Sequence, residues 1–573
     1  MDSEPRKHRR RKKHRSSRSS SGKRRKSSSI KATSSFAPVH ASRVPITMGE
    51  MAIQRPPECA AYLWALMGVC ILILLGGGHH VCALGFALVL PGVALLLQPP
   101  QRSLGKWIDV GIVGMLGVML FAFVPMSYWQ EPVWRTTAID VFGIELPAVL
   151  TVQPWMSFEA FLLAIAGFSW LYAAGNWKVN VEGRRKIYFA VSCAISLFAT
   201  IVILGNLYGW RYPGAKDSTA FSFFPNRNQT VDFIAIGGVL AFGYSMEGLR
   251  GKKLSHVVGL VASLLSLLAL ISGLSRAGVM LYFGGIFLWL IFILRRTAAS
   301  HFLKIGLPIV LLFFSFFITS HDTAVTRTTE LISSSANWGS DFRVLMFRDT
   351  LKMIQDAPLT GVGLGNFSTI FPQYRNLSRT EHNVVHPESD LTWLATEGGL
   401  VVILFLAILI VSYFRKCRAS MNGRSGAYRT IALIGVIMFL VHGLFDVSGH
   451  RPGTAYFAII FAALALPNPL KNRPTFKPVI WRCLGAGLLF IGVLWIIGGL
   501  FYLPTHSTMA LDIEESRAVE SRSLHDLDRA SQAVDAVIAL QPMQWRGYFQ
   551  RAQIALSRGG DRFEVEQDFR RAR

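Results

Sequence analysis

Leu400-Val-Val-Ile-Leu-Phe-Leu-Ala-Ile-Leu-Ile-Val-Ser-Tyr-Phe414 carries no charge and stops at Arg415-Lys-Cys-Arg418. An apolar run closed by a basic cluster is the pattern of a helix that crosses a bilayer, for which roughly 20 apolar residues suffice. Runs of the same character recur at 60–75, 81–97, 187–205, 257–272, 278–294, 305–319, 431–444 and 484–501. Weaker ones lie near 110–126, 158–175, 230–246 and 453–466, so hydropathy predicts about thirteen spans. The composition agrees: the 573 residues are 51% apolar and 16% charged, yet carry a formal net charge of +25. A soluble protein does not combine these properties, whereas a membrane protein with its charge in loops and tails does. The expected fold class is all-α, a polytopic transmembrane helix bundle.

Alternation of the spans sorts the loops into two sets. One set holds Arg102 and Lys106, Lys178 with Arg184 to Lys186, Arg250 to Lys253, Arg295 to Lys304, Arg415 to Arg429, and Lys471 to Arg482. The short loops of the other set are poor in Lys and Arg. This asymmetry predicts that the first set and the N-terminus are cytoplasmic. A long polar loop at about 320–397 and the C-terminal tail then lie on the outer face, periplasmic in a bacterial inner membrane. None of the six cysteines falls in that loop or tail, and no pair has metal-ligand spacing, so neither disulfides nor a metal site is expected.

Three regions follow. Residues 1–55 form a basic tail, opening Arg6-Lys-His-Arg-Arg-Arg-Lys-Lys-His-Arg15. Such a block cannot bury a core and is expected to be disordered against anionic membrane lipids, with no nucleic-acid partner. Residues 56–503 are the transmembrane domain. In 504–573, Ala530, Ala533, Val534, Val537 and Leu540 precede Gln541-Pro542 and then Tyr548, Ala552, Ala555 and Leu556. This helix–turn–helix pattern predicts a small tetratricopeptide-like tail.

The polar loop holds the chemistry-bearing side chains. It contains Asp341-Phe-Arg343, Gly361-Val-Gly-Leu-Gly365, His382-Asn383 and His386-Pro-Glu388-Ser-Asp390. Elsewhere on the same face lie Arg211, Phe224-Pro-Asn-Arg227-Asn and Ser275-Arg276-Ala-Gly278. Guanidinium groups suit bidentate binding of phosphate or diphosphate. Arg276, set between apolar runs with almost no loop, is a functional candidate by that placement. The pattern from Phe342 to Ile354 is an amphipathic helix, expected to lay its apolar side on the membrane and turn Arg343 to a diphosphate. The three glycines suit a structural turn, and Glu397 suits a helix entry.

Arg343, the stretch Met353-Ile-Gln-Asp-Ala-Pro-Leu-Thr-Gly-Val-Gly-Leu-Gly-Asn-Phe367, His386 and Glu397-Gly-Gly399 together resemble the O-antigen ligase and polymerase family. Phe224 to Asn228 and Ser275 to Gly278 match recurring family sites, and the resemblance covers roughly 190–450. It implies a membrane glycosyltransferase using glycans linked to undecaprenyl diphosphate, with inverting, metal-independent and cofactor-free transfer. It further implies a His as general base and arginines that hold the departing diphosphate. His386, Arg343 and Arg227 are the implied catalytic residues; Arg276, Arg211, Asp390, Glu388 and His382 are implied to bind donor or acceptor. The family's usual signature sets a His and a small polar residue shortly before Glu-x-Gly. His386 has the better spacing, although Pro387 follows it, and His382 is the alternative base. Glu388 or Asp390 is expected to orient the ring. The acceptor would be lipid A-core in a ligase, a second lipid-linked glycan in a polymerase, or a protein hydroxyl. A lipid-linked sugar transporter is the alternative of another class, but it should carry ionisable residues near mid-membrane. Here they stand towards span ends.

Overall fold

A computed structural model describes residues 59–572 apart from 213–219, 250–254, 274, 295–341, 379–383, 422–424 and 469–475. The basic N-terminal tail, the run at 305–319 and His382 lie outside the described residues. The rest is helical. In chain order the principal helices are α1 (Ala60–Leu74), α2 (Val81–Leu97), α3 (Lys106–Met119), α4 (Pro154–Asn176), α5 (Val181–Leu207), α6 (Arg227–Leu249), α7 (Ser255–Ser272) and α8 (Arg276–Leu294). They continue with α9 (Phe342–Asp356), α10 (Asp390–Arg418), α11 (Gly426–His442), α12 (Pro452–Ala465) and α13 (Pro478–Phe501). Four tail helices follow: α14 (Ser507–Ser523), α15 (Leu527–Leu540), α16 (Trp545–Ser557) and α17 (Arg562–Ala572).

Seven of the described helices are long and apolar enough to cross a membrane, and five shorter apolar helices accompany them. This is a multi-pass membrane protein. Lipid offers no hydrophobic drive between helices, so close packing must hold the bundle together. Glycine provides it between α2 and α13. A Cβ on Gly85 would stand 2.5 Å from Gly492 O, and one on Gly92 would stand 2.8 Å from Leu489 N.

The loops gather at two ends. At one end, Gly453 N donates to Gly77 O, Asn206 Nδ2 to Ser272 Oγ, and Asp390 N to Gly443 O. At the other, Tyr188 Oη donates to Tyr428 O, Asn176 Nδ2 to Arg102 O, and Lys416 and Arg184 to Leu104 O and Leu464 O. The described basic loops thus share one end, and the polar residues that precede α10 stand at the opposite one.

On the end that carries the start of α10 sits a layer outside the bundle. Helix α9, expected to lay its apolar side on the membrane, turns part of that side to protein and leaves Phe347 and Leu351 exposed. Its apolar face, with Met346 and Met353, joins Trp134, Val152, Val362, Phe367 and Phe371 in a separate small core. Residues 124–152, unremarked in the hydropathy pattern, supply part of that core, and Arg135 ties it together by donating to Val149 O at 3.2 Å. The tail packs on the same layer: Arg571 Nε donates to Phe142 O at 2.7 Å, and Tyr548 is buried against Ala138 and Ile144. The tail is anchored at its start by Glu159 of α4, whose carboxylate accepts from Ser507 N at 2.7 Å.

Candidate active site

The site is organised by the start of α10. Ser389 caps the helix, accepting from Thr392 N, and the helix runs unbroken to Gly399, whose φ of 71° kinks it. Beside the kink the three-glycine turn docks. Gly363 N donates to Glu397 O at 3.0 Å, and Val362 N to Thr396 O at 2.9 Å. Gly361, Gly363 and Gly365 all have φ in the left-handed region, which glycine adopts without steric cost. The turn therefore reads as structural. Glu397 is not at a helix entry: it is buried two turns inside α10, where Oε1 accepts from Trp393 Nε1 at 2.7 Å and Phe367 N at 3.2 Å.

Trp393, fixed by that bond, is the centre of the site. The ring of His450 stacks on it at 3.8 Å with an interplanar angle of 5°, and His386 stacks at 5.7 Å and 29°. Each imidazole has its own carboxylate. Glu388 Oε1 lies 3.4 Å from His386 Nδ1, and Asp390 Oδ1 lies 2.7 Å from His450 Nδ1. Of the two carboxylates expected to orient His386, Glu388 is the nearer, but no hydrogen bond joins them: Nδ1 is buried without a hydrogen-bond partner among the described residues. Asp390 is hydrogen-bonded to His450 and accepts from Gly449 N at 2.7 Å, bonds set by its place in the first turn of α10, while its charge still acts on His386.

Glu388 has a φ of 53°, a conformation that costs a non-glycine residue energy and that clusters at functional sites. Its other carboxylate oxygen lies 3.7 Å from Arg343 Nη2. Arg343 is 57% exposed and so presents most of its guanidinium to solvent. Helix α9 holds its place partly through Asp349, whose Oδ2 accepts from Leu377 N, Ser378 N and Ser378 Oγ, each at 2.9 Å. Leu377 and Ser378 are thereby tied to α9.

Burial pulls the His386 ring down to about 4, and the cations of Arg451 and His450 add to that effect against the opposing pull of Asp390. At neutral pH the imidazole is therefore uncharged and able to accept a proton. Burial raises the Glu388 carboxyl while the Arg343 guanidinium opposes the rise.

The arginines fall into two groups. Arg343 meets His386 through Glu388. Arg227 opens α6 and lines a narrow cleft with Phe221, Thr230 and Gly273. Arg276 opens α8 three residues beyond Gly273, and the two helices touch where Gly278 faces Val231. The side chain of Arg276 lies outside the described residues. Arg211 is exposed beyond the end of α5. Between the two groups runs a buried polar chain: Asp232 Oδ1 lies 3.6 Å from His442 Nδ1, which bonds Ser448 Oγ at 2.9 Å.

That chain belongs to a segment whose weight the sequence reading missed, His442-Gly-Leu-Phe-Asp446-Val-Ser448-Gly-His450-Arg451. Asp446 Oδ2, both carboxylate oxygens of Asp232 and Arg451 Nε are buried without a hydrogen-bond partner among the described residues. Buried polar groups are normally satisfied, so such a concentration makes the segment a candidate part of the site. The signal was available. Four ionisable residues stand between two apolar helices, the same criterion that singled out Arg276.

Residues 261–407 match the model of the O-antigen ligase family. The match takes in Arg276, Arg343, the glycine turn, His386 and Glu397, and bears out the resemblance drawn from those motifs. It supports a membrane glycosyltransferase of the O-antigen ligase kind, acting on a lipid-linked glycan and an acceptor. Arg211, Arg227 and the 442–451 segment lie outside the matched residues but, Arg211 apart, pack against or beside them. No curated protein matches the chain.

Proposed function

We propose that the protein transfers a glycan from an undecaprenyl-diphosphate carrier to an acceptor hydroxyl at the periplasmic face of the inner membrane, as an O-antigen ligase-like enzyme. The observation that carries this reading is the neutral, buried His386 held against Glu388, with the exposed Arg343 on the other side of the same carboxylate. His386 takes the proton of the acceptor hydroxyl as its oxygen attacks the anomeric carbon. The bond to the diphosphate breaks on the opposite side, which inverts the configuration. The imidazolium that forms is stabilised by Glu388. Negative charge gathers on the leaving diphosphate, and guanidinium groups aimed at it lower the barrier where the charge appears. Arg343, Arg227 and Arg276 are proposed for that role, joined by Arg451. The donor is already activated, so the transfer needs only positioning, proton removal and charge stabilisation.

Reconstitution in proteoliposomes with undecaprenyl-diphosphate oligosaccharide tests the proposal. Transfer that depends on added lipid A-core supports a ligase, whereas elongation without it supports a polymerase, and labelling of a protein hydroxyl supports protein glycosylation. His386→Ala should reduce transfer by about 10²–10⁴-fold, the usual worth of a general base, with donor retention unchanged. Near-normal turnover in that variant would remove His386 from the mechanism and move attention to His382.

A further inference from the structure

A groove of about 800 Å³ opens between α3 and α10, far from the His386 site. Arg415, on its rim, stands twenty-five residues along α10 from Asp390. At helical rise that is about 35 Å. The two helices touch where a Cβ on Gly111 would meet Leu409 at 2.8 Å. Beyond that contact, towards the basic end of the bundle, the walls of the groove divide by chemistry. Lys106, Arg415 and Lys416 supply charge, and Ile408 and Val411 supply aliphatic surface. Trp107 lines it as well and is 60% exposed, the character of an indole at a membrane interface.

No carboxylate lines the groove among the described residues. The nearest in sequence, Asp109, is turned to Ser103 and Tyr172, to which it is hydrogen-bonded. Lys416 ties the helices by donating to Leu104 O. Lys106 lies 5.8 Å from the Trp107 ring, and Arg415 is exposed.

We propose that this groove binds one anionic phospholipid of the surrounding membrane, with its phosphate between Lys106 and Arg415 and an acyl chain along Ile408 and Val411. Charge complementarity and the run of the walls select this occupant. A free phosphate would meet the cations and leave the aliphatic wall uncovered. A zwitterionic lipid would cover the wall but bring its own cation against Arg415. Basic pockets between membrane helices bind anionic headgroups for this reason, at about a fivefold gain in affinity for each basic residue. The inference stands on the membrane fold and not on the transfer reaction, so it can fail or hold independently of the proposed function.

The test uses the full chain, delipidated in neutral detergent, with bound lipid read by native mass spectrometry. Phosphatidylglycerol should be retained at least tenfold more tightly than phosphatidylcholine of the same chains, and millimolar inorganic phosphate should not displace it. Lys106→Gln with Arg415→Gln should weaken retention about 25-fold, while Lys106→Arg with Arg415→Lys should preserve it. Ala407→Trp fills the groove without changing its charge and should also abolish retention. The charge-conserving pair keeps the test sharp if a neutralised variant melts early. Equal retention of phosphatidylcholine would leave only a nonselective apolar surface, and displacement by phosphate would leave only an anion site. Undiminished phosphatidylglycerol binding in the neutralised pair or in the filled groove would also overturn the proposal.

Discussion

His386 Nδ1 lies 3.4 Å from Glu388 Oε1 on a ring otherwise enclosed by protein. That contact places a carboxylate beside the ring on which the imidazolium is proposed to form. Glu388→Gln keeps the shape and removes the charge. We predict that kcat falls about tenfold, the effect of roughly 1.4 kcal/mol at the transition state, with KM for the donor changed much less. Steady-state kinetics on the reconstituted enzyme measure both, and an unchanged kcat would remove Glu388 from the mechanism.

Arg451 sets the second prediction, through pH. His386 is pulled down to about 4, first by burial and then by the Arg451 cation. In the free enzyme the acid limb of kcat/KM should thus lie near pH 4, below the ordinary imidazole value of about 6.5. Arg451→Gln removes one depressing charge, so the limb should move up towards 6.5. A bound diphosphate would offset the same charge, which places the acid limb of kcat above that of kcat/KM in the wild type. Since the folded ring titrates below the unfolded one, this histidine contributes stability above about 6.5, and that contribution is lost as pH falls towards 4. A kcat/KM limb at 6.5 in the wild type, unmoved by Arg451→Gln, would contradict the assignment.

Asp390 and His450 should behave as a unit separate from the base. Their 2.7 Å contact, together with the bond from Gly449 N, holds the 443–451 loop to the first turn of α10. A double-mutant cycle on folding stability should give a coupling of about 1 kcal/mol between Asp390→Asn and His450→Gln. Between Asp390→Asn and His386→Gln the coupling should be much smaller. The reverse order would restore Asp390 as the residue that orients His386.

How far the sequence revealed this site depended on how local each signal was. His386, Glu388 and Arg343 were readable because a polar loop in an apolar chain isolates them, and the site brings these three together. Asp390, four residues from His386 in sequence, stood beside Glu388 as a second candidate to orient that ring, whereas the helix that starts at Asp390 turns its carboxylate to His450. Arg451, Asp446 and His442 were passed over because each lies beside a span end, where ionisable residues are ordinary. Only the packing of α11 and α12 against α6, and of residues 448–450 against α10, shows that they come together. The apolar face of α9 looked like a membrane face because periodicity gives the width of a stripe and not what covers it.

Gly399 gives a structural prediction. Its φ is 71°, and a Cβ there would meet Leu359 O at 2.3 Å, against backbone that cannot rotate away. Gly399→Ala should cost about 2 kcal/mol or more from strain and overlap. It should also separate the glycine turn from Glu397 and so loosen Trp393. A lowered thermal midpoint with reduced kcat is expected, and a variant as stable as the wild type would mean that the kink is not required.

The last prediction concerns the tail. Glu159 stands one turn inside α4, buried, where its carboxylate accepts from Ser507 N at 2.7 Å and from the Ser507 hydroxyl. His506 Nε2 lies 3.3 Å from the same carboxylate, and the His506 ring sits edge-on to Trp495 at 4.6 Å. One side chain thus satisfies the first amide of α14 and positions the turn that leads from the last membrane helix into the tail. Glu159→Ala leaves that buried amide unpaired, at a cost of about 1–3 kcal/mol. Hydrogen exchange should then quicken at the amides of 507–510 first, while the amides of α15 and α16, which have their own core around Ala530, Val534 and Ile554, stay protected. Glu159→Gln retains a carbonyl oxygen able to accept from Ser507 N and should loosen the turn less. Equal exchange in wild type and Glu159→Ala would show that the tail is held by its contacts with the 133–146 layer instead, and Arg571→Ala would become the variant to release it.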